Sequence, residues 1–385
     1  MRRHDLDWLR VLVFGILIFY HVGMFFVPWD FHLKNNIIYI DLKWPMLFVN
    51  QWRLPILFVI SGMGTFFALS QRTAITFMKE RFVRLFLPLL IGMIFIVPPQ
   101  VYFERLANGE FMGSYLEFWP FHSFSGSYPD GNFSWHHLWF LPYLLIFSII
   151  LVPLFVYVKN NKESLLLKLI ERLVSTPFGM FLLILPLFTY NSFLAPYYPS
   201  THALVGDWFN LINYSTLFFI GFLLISVKET FWNTILCNRQ AYLICGVLGF
   251  GLLLIIWLFL ERTHFVHYLE SLVRAFNMWS WIMTIFGYAA YYLNHKNAFL
   301  SYANEAVYPF YILHQTISIT IGYYVMDLNW SFWSKMSLMA IGTFGISLLI
   351  YEYGIRRWNY IRPLFGLKSK RHTSDRVKKL LKAIH

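Results

Sequence analysis

The stretch Asp5-Leu-Asp-Trp-Leu-Arg10, followed by an apolar run to Tyr20 and then by His21, has the composition of a membrane helix with acidic residues at its start. His21 lies eleven residues beyond Arg10, or about 16 Å deeper at the helical rise per residue. That depth is near the middle of a hydrocarbon layer about 30 Å thick. An ionisable side chain there is costly unless it faces a polar interior. His21 is therefore a candidate functional residue, and the alternative is a structural hydrogen bond to a neighbouring helix.

The composition predicts an all-α, polytopic membrane protein. Of the 385 residues, 58% are hydrophobic, 21% aromatic and only 13% charged, whereas a soluble domain carries about 25% charged residues. Two cysteines, Cys237 and Cys245, indicate neither a disulfide framework nor a metal cluster.

Apolar runs of about 20 residues predict about ten transmembrane helices. Prolines at positions 88, 98 and 99 are expected to kink or end the third. The predicted spans are 8–29, 45–70, 86–103, 138–158, 177–195, 208–227, 241–260, 275–293, 306–326 and 333–355.

The positive charges predict the orientation. With the N-terminus inside, the inner segments and the tail hold 23 of the 31 Lys and Arg residues, and the outer segments hold seven. Both termini are therefore expected in the cytoplasm, with a transmembrane domain at 1–355 and a basic tail at 356–385 in the cytoplasmic (inner) membrane. Attraction of the tail to anionic lipid, or simple solvation, accounts for the net charge of +12 without nucleic acid. The long outer loop 104–137 is a candidate lid over an outer cavity.

Polar residues of three predicted helices share one depth. Ser61 in the second span and His314 in the ninth lie about as far from the inner face as His21, which predicts a shared cavity. The alternatives are an interhelical hydrogen bond for His314 and close helix packing at Ser61-Gly62.

A second indication of function lies at the predicted cytoplasmic ends of the helices, called here the inner rim. Arg81 and Arg84 are three residues apart, on one helix face. Paired guanidinium groups suit a phosphate or pyrophosphate, and Arg10 at the same rim supports a phosphate-bearing substrate. The alternative is ordinary positive charge on the inner side.

The outer rim offers Arg53 and the pair His136-His137. Arg53 is expected either to reach lipid headgroups or to hold a polar acceptor. Because no Cys or Glu stands at ligand spacing from the histidine pair, the sequence predicts no metal site.

Five segments together resemble the motifs of the acyltransferase 3 family of membrane O-acyltransferases. They are Arg10-x10-His21, Phe58-Val-Ile-Ser61-Gly62, Arg81-x-x-Arg84 followed by Leu-Phe-Leu-Pro88, His137-Leu-Trp-Phe-Leu-Pro142 and Tyr308-Pro-Phe-Tyr-Ile-Leu-His314. The resemblance covers residues 6–353, and within the family the chain is similar to the single-domain, glucan-biosynthesis protein C-like members.

The resemblance implies an enzyme that takes an acyl group, acetyl or succinyl, from cytoplasmic acyl-CoA to a hydroxyl of an extracytoplasmic or lipid-linked glycan. The CoA phosphates would bind near Arg81 and Arg84, and Arg10 would bind phosphate or position the substrate. No permanently bound cofactor is implied. The partners implied are acyl-CoA, the glycan, membrane lipid and glycan-synthesis proteins.

The resemblance also gives the midplane residues roles. His21 would be the general base or a transient acyl carrier. His314 would be a second acid/base or an orienter of substrate, and Ser61 a hydrogen-bond donor. Arg53 would bind the acceptor or the carboxylate of a succinyl group.

Two other functions fit the same residues. A transporter or flippase for a glycan would use His21 and His314 as a proton relay, although the sequence shows no inverted repeat. A structural membrane component would bind glycan-synthesis proteins and leave both histidines without a role. Consumption of acyl-CoA separates the enzyme from both alternatives.

Overall fold

The computed structural model describes residues 3–370, which are predominantly helical and contain no β-strand. The α-helices are α1 His4–Met24, α2 Lys43–Ser70, α3 Ala74–Ile91, α4 Pro98–Ala107, α5 Tyr115–Phe121, α6 Phe140–Ile150, α7 Val152–Asn160, α8 Leu165–Val174, α9 Leu185–Phe193, α10 Trp208–Ser226, α11 Lys228–Phe259, α12 His264–Tyr292, α13 Ala298–Val325 and α14 Phe332–Leu349. Short 3₁₀ or π segments lie at Ile40–Leu42, Gly92–Ile96, His136–Trp139, Gly179–Ile184, Ile350–Ile355 and Arg362–Phe365.

Helical segments occur at all ten predicted positions. Length and hydropathy alone, however, identify fewer than ten of them as membrane spans. Six stretches qualify, and a bent pair, His136–Ile150 with Val152–Asn160, makes a seventh. The six are His4–Met24, Ile40–Ser70, Ala74–Ala107, Trp208–Ser226, Lys228–Phe259 and Phe332–Ile355. Helices α12 and α13 have 29 and 28 residues, long enough to cross a bilayer. Both bury polar side chains, such as Asn277 and His314, which lower their mean hydropathy.

Prolines divide two of the predicted spans. The third passes through a π turn at Gly92–Ile96, and a new helix begins at Pro98, as the proline pair predicted. The fourth bends by 49° between α6 and α7. This bend was not predicted from the sequence, although Pro153 stands in the first turn of α7 and cannot donate a backbone hydrogen bond.

Several helices extend beyond the predicted apolar runs. Helix α11 begins at Lys228 rather than at position 241, and α12 begins at His264 rather than at position 275. Cys237, which falls between the predicted spans 208–227 and 241–260, therefore lies within α11. The apolar runs do not include these first helical turns of α11 and α12, because the backbone there is helical although the side chains are polar.

The packing of α1 and α2 positions the candidate site. Helix α1 lies against α13 and α2, and α2 packs closely on α10. At the α2–α10 contact a Cβ added to Gly62 would lie 1.9 Å from the Phe218 carbonyl oxygen, and one added to Gly221 would lie 2.1 Å from the Val59 carbonyl oxygen. The absence of side chains at these two glycines is thus what allows the helices to approach.

The first part of the predicted basic tail folds back onto the helices. Arg362 is buried and donates to Glu305 Oε1 at 3.0 Å. Arg84 Nε donates to the carbonyl oxygen of Gly366 at 3.3 Å. Residues 361–367 are therefore packed against the helical domain, whereas Trp358 and Tyr360 are exposed. Residues 371–385 lie outside the described part of the chain.

Candidate active site

Two cavities lie at different levels of the helical domain. The first, called here the histidine cavity, has a volume of about 710 Å³. Its lining includes Tyr20, His21, His32, Arg53, Tyr128, Trp135, His136, His137, Trp139, His202, Tyr311 and Gln315. The second, called here the arginine cavity, has a volume of about 290 Å³ and is lined by Arg10, Ser61, Arg72, Glu80, Arg81, Arg84, Asn304 and Tyr308, among others.

His21 and His314 meet edge to edge. His21 Nδ1 lies 2.7 Å from His314 Nε2, and the two ring planes differ by 5°. A nitrogen–nitrogen distance this short excludes face-to-face stacking. The centroid distance of 5.0 Å is that of two nearly coplanar rings joined by an in-plane hydrogen bond.

The hydrogen-bond partners of His314 define which ring nitrogen carries the hydrogen in His314 and in His21. His314 Nδ1 lies 2.7 Å from the carbonyl oxygen of Tyr311, and a carbonyl only accepts, so Nδ1 carries the hydrogen. In neutral His314, Nε2 is then the acceptor, and His21 Nδ1–H donates to it. Neutral His21 consequently keeps an unprotonated Nε2. Among the described residues this nitrogen has no hydrogen-bond partner, and His21 lines the histidine cavity.

A buried polar network supports His314. The ring of His137 lies perpendicular to that of His314, with centroids 5.0 Å apart. His137 Nε2 donates to the carbonyl oxygen of Ile312 at 3.1 Å, and Gln100 approaches its Nδ1 at 3.4 Å. Gln315 donates to Gln100 Oε1 at 3.1 Å. Such a network holds the rings in one orientation.

His137, Gln100 and Gln315 were not predicted as site residues. His137 stood out in the sequence in the outer-rim pair with His136 and in one of the five motifs, but neither pattern indicated a role for it. The two glutamines stand out in the sequence only as amides within apolar helices.

Arg53 contributes a buried cation to the histidine cavity. Its guanidinium carbon lies 3.6 Å from the centre of the Tyr20 ring, and Nη2 donates to Asn50 Oδ1 at 3.1 Å. Its Nε is shielded from solvent and has no hydrogen-bond partner in the described residues. Of the two roles predicted for Arg53, this placement favours holding a polar or anionic substrate group over reaching lipid headgroups.

The arginine cavity has the character of an anion site. It is lined by four arginines and one carboxylate, Glu80, which pairs with Arg72 at 3.0 Å. Arg10 donates to Asn304 at 3.1 Å, and Arg81 donates to Thr65 Oγ1 at 2.9 Å. The structure thus brings together Arg10, Arg81 and Arg84, the three arginines that the sequence analysis noted at the inner rim.

Ser61 does not share a cavity with His21. It lines the arginine cavity, whereas His314 is fully buried and lines neither cavity. The prediction of one midplane cavity lined by His21, Ser61 and His314 was therefore wrong for Ser61, and His314 is linked to the histidine cavity only through its hydrogen bond to His21. The depth estimate could not give the rotation of α2 about its axis, which depends on its packing against α10. Phe14 and Phe140 line both cavities and stand between them.

Two loops contribute to the wall of the histidine cavity. Residues of the predicted lid, 104–137, line it, as do residues 201–203 and 205 of a second loop. In that second loop the ring of His202 stacks on Trp139 at 4.1 Å, and burial lowers the pKa of His202 from 6.5 to about 4.

No metal site was predicted at His136, because no Cys or Glu stands at ligand spacing from it in the sequence. In the structure, however, residues from elsewhere in the chain place possible metal ligands beside it. The structure places it beside His32 and Glu104. Local spacing could not reveal this, because the three residues belong to three separate segments.

Comparison with known proteins identifies the family to which this protein belongs. The model of the acyltransferase 3 family, described as an acyltransferase domain, matches residues 3–352. The chain therefore belongs to the acyltransferase 3 family: it is a multi-pass membrane protein and an acyltransferase.

Two relatives have low sequence identity to this chain but align with it over most of the length of both proteins. Glucans biosynthesis protein C of Escherichia coli K12 is 21% identical over 371 residues, which are 92% of each chain. Glucans biosynthesis protein C of Escherichia coli O17:K52:H18 (strain UMN026) is 21% identical over 374 residues, again 92% of each chain. No solved structure matches the chain.

Proposed function

We propose that this protein is an O-acyltransferase that moves an acetyl or succinyl group from cytoplasmic acyl-CoA to a hydroxyl of an extracytoplasmic or lipid-linked glycan. The single observation that carries the proposal is the hydrogen-bonded His21–His314 pair, which leaves His21 Nε2 as a proton acceptor in a cavity of about 710 Å³. The names of the Escherichia coli relatives support a glycan as the acceptor.

The proposed orientation has ten spans, both termini in the cytoplasm, and the inner membrane as the location. The distribution of Lys and Arg supports it. The arginine cavity then opens toward the cytoplasm and binds the CoA phosphates, with Arg81 and Arg84 as bidentate donors. The histidine cavity lies on the outer side and admits the glycan, and its aromatic walls, Trp135 and Trp139, suit stacking on a sugar ring.

The proposed reaction begins with removal of a proton from the acceptor hydroxyl by His21 Nε2. The hydroxyl oxygen forms a bond to the thioester carbonyl carbon, the carbon–sulfur bond breaks, and the proton is passed from His21 to the thiolate. The products are an O-acyl ester and CoA with a free thiol. His314 accepts from His21 Nδ1–H throughout and stabilises the imidazolium, as the third group of a catalytic triad does.

Arg53 is proposed to bind the acceptor or, with a succinyl donor, the free carboxylate of the acyl group. The reaction needs no resident cofactor, because acyl-CoA is consumed as a substrate. Membrane lipid and glycan-synthesis proteins complete the proposed partners.

The test uses untagged protein in lipid nanodiscs with labelled acetyl-CoA or succinyl-CoA and a glycan extract. The wild type is expected to release free CoA and label the glycan, and His21→Ala should lower kcat by about 10²–10⁴-fold. The matched control is His264→Ala, since His264 is exposed at the start of α12. Turnover of neither donor by the folded wild type would overturn the proposal, and transport of the glycan would then be measured instead.

An acyl carrier role for His21 is separable from a base role. If His21 carried the acyl group, incubation with donor alone would leave the label on the protein. We expect no such labelled protein, because His21 Nε2 is proposed to take up only a proton.

A further inference from the structure

Three side chains with metal-binding atoms meet at the rim of the histidine cavity. His32 lies in the loop between α1 and α2, Glu104 in α4, and His136 at the start of the 3₁₀ turn that precedes α6. One ligand atom from each lies within 4.8 Å of the other two. His32 Nδ1 is 2.6 Å from Glu104 Oε2, and the rings of His32 and His136 are parallel with centroids 4.2 Å apart.

The ring of His136 packs on the rings of His32 and Tyr128 but makes no hydrogen bond within the described residues. Both ring nitrogens are shielded from solvent and lack a hydrogen-bond partner. Its backbone adopts a left-handed conformation, with φ at 40°, which is unfavourable for a residue with a Cβ. The hydroxyl of Ser134 accepts from the His136 backbone N–H at 3.0 Å. Strain and unpaired buried nitrogens at one residue point to a ligand there.

Glu104 is held as ligating carboxylates commonly are. The Tyr128 hydroxyl donates to Glu104 Oε1 at 2.9 Å, which leaves Oε2 directed at His32. The side chain is 9% exposed. The next residue, Arg105, donates to Asn132 Oδ1 and to the Gly131 carbonyl oxygen, both at 3.0 Å, and so fixes the lid beside the cluster. Outer contacts of this kind orient the ligands of metal sites.

We propose that His32, Glu104 and His136 bind a divalent transition-metal cation of the Zn²⁺ class. Two imidazoles and one carboxylate form a typical three-ligand set for Zn²⁺, whereas Mg²⁺ and Ca²⁺ prefer oxygen donors alone. The site replaces the earlier expectation of no metal.

The ion has two consequences for the cavity. It ties the α1–α2 loop, α4 and the end of the lid together at one point. Because His32 and His136 line the histidine cavity, an ion held by them would be reachable from the cavity and would bind a water or a hydroxyl of the acceptor there. Only this last role, binding of the acceptor, rests on the proposed function.

The experiment measures Zn²⁺ binding to untagged, chelator-treated protein in detergent by calorimetry, with bound metal counted by elemental analysis. We expect one Zn²⁺ per wild-type chain and a rise in the thermal unfolding midpoint when Zn²⁺ is added. His136→Ala and Glu104→Gln should each weaken binding at least tenfold, and His264→Ala should not. Co²⁺ should give a visible absorption band in wild type that is lost in His136→Ala.

Two results would overturn the site: no Zn²⁺ bound to monodisperse wild type, or equal affinity in wild type and His136→Ala. If Glu104→Gln fails to fold, His32→Gln serves as the second variant. The outcome is independent of the enzyme assay. Zn²⁺ binding without CoA release refutes only the acyl transfer, and CoA release by a chain that binds no Zn²⁺ refutes only the metal site.

Discussion

His21 and His314, 293 residues apart in the chain, form one coplanar hydrogen-bonded unit in which Nδ1 of the first lies 2.7 Å from Nε2 of the second. The Tyr311 carbonyl oxygen accepts from His314 Nδ1 and so sets the direction of the hydrogen bonds. The unit resembles a catalytic triad in which a backbone carbonyl takes the place of a carboxylate. His21 is the member that faces the histidine cavity.

His314 is expected to act as a positioning residue. Loss of a hydrogen bond to a charged group costs about 1.5–3 kcal/mol, so His314→Ala should lower kcat roughly ten- to a hundredfold with little change in KM for acyl-CoA. His314→Gln keeps an acceptor and should recover part of the loss. A purely structural role would instead lower the yield of folded protein and leave kcat per folded molecule unchanged.

The arginine cavity is expected to recognise the phosphates of the donor. Arg81→Gln and Arg84→Gln should raise KM for acyl-CoA about tenfold or more, since charge-assisted hydrogen bonds contribute about 1.5–3 kcal/mol each. An acyl-pantetheine, which lacks the nucleotide phosphates, should be used equally by variants and wild type. Arg172→Gln, an exposed arginine on α8, is the matched control. Equal losses with both donors would contradict phosphate recognition.

His202 should make stability depend on pH. Burial lowers its pKa from 6.5 to about 4, so the unfolded chain binds more protons between these values. Stability is therefore lost as the pH falls from about 6.5 to about 4, by up to about 3 kcal/mol from this residue. In thermal unfolding over that range, His202→Gln should lose less stability than wild type. Parallel curves for the two proteins would contradict the assignment.

Close packing of α2 on α10 should not tolerate a side chain at Gly62. The added Cβ would lie 1.9 Å from the Phe218 carbonyl oxygen, and overpacking against backbone costs about 1–3 kcal/mol or more. Gly62→Ala should lower the thermal unfolding midpoint. Gly15→Ala is the control, because nothing lies within 4 Å of its added Cβ. Equal midpoints for the two variants would show that α2 and α10 move apart at little cost.

The sequence predicted the spacing of residues along a helix better than the direction they face. Arg10 and His21, eleven residues apart on α1, line different cavities, as expected from the constant helical rise. Ser61 was assigned to the wrong cavity because the rotation of a helix depends on its neighbours. The cluster of His32, Glu104 and His136 was missed because the lid, a long irregular loop, brings its members together.

The most direct test of transfer between the two cavities is the sidedness of acyl transfer in proteoliposomes that contain oriented protein. Acyl-CoA labelled in the acyl group is supplied on the side of the arginine cavity, and the acceptor glycan is enclosed on the side of the histidine cavity. We expect label on the enclosed glycan with wild type and a near-complete loss of this label with His21→Ala. Label on the glycan only when donor and acceptor share one side would contradict transfer between the two cavities.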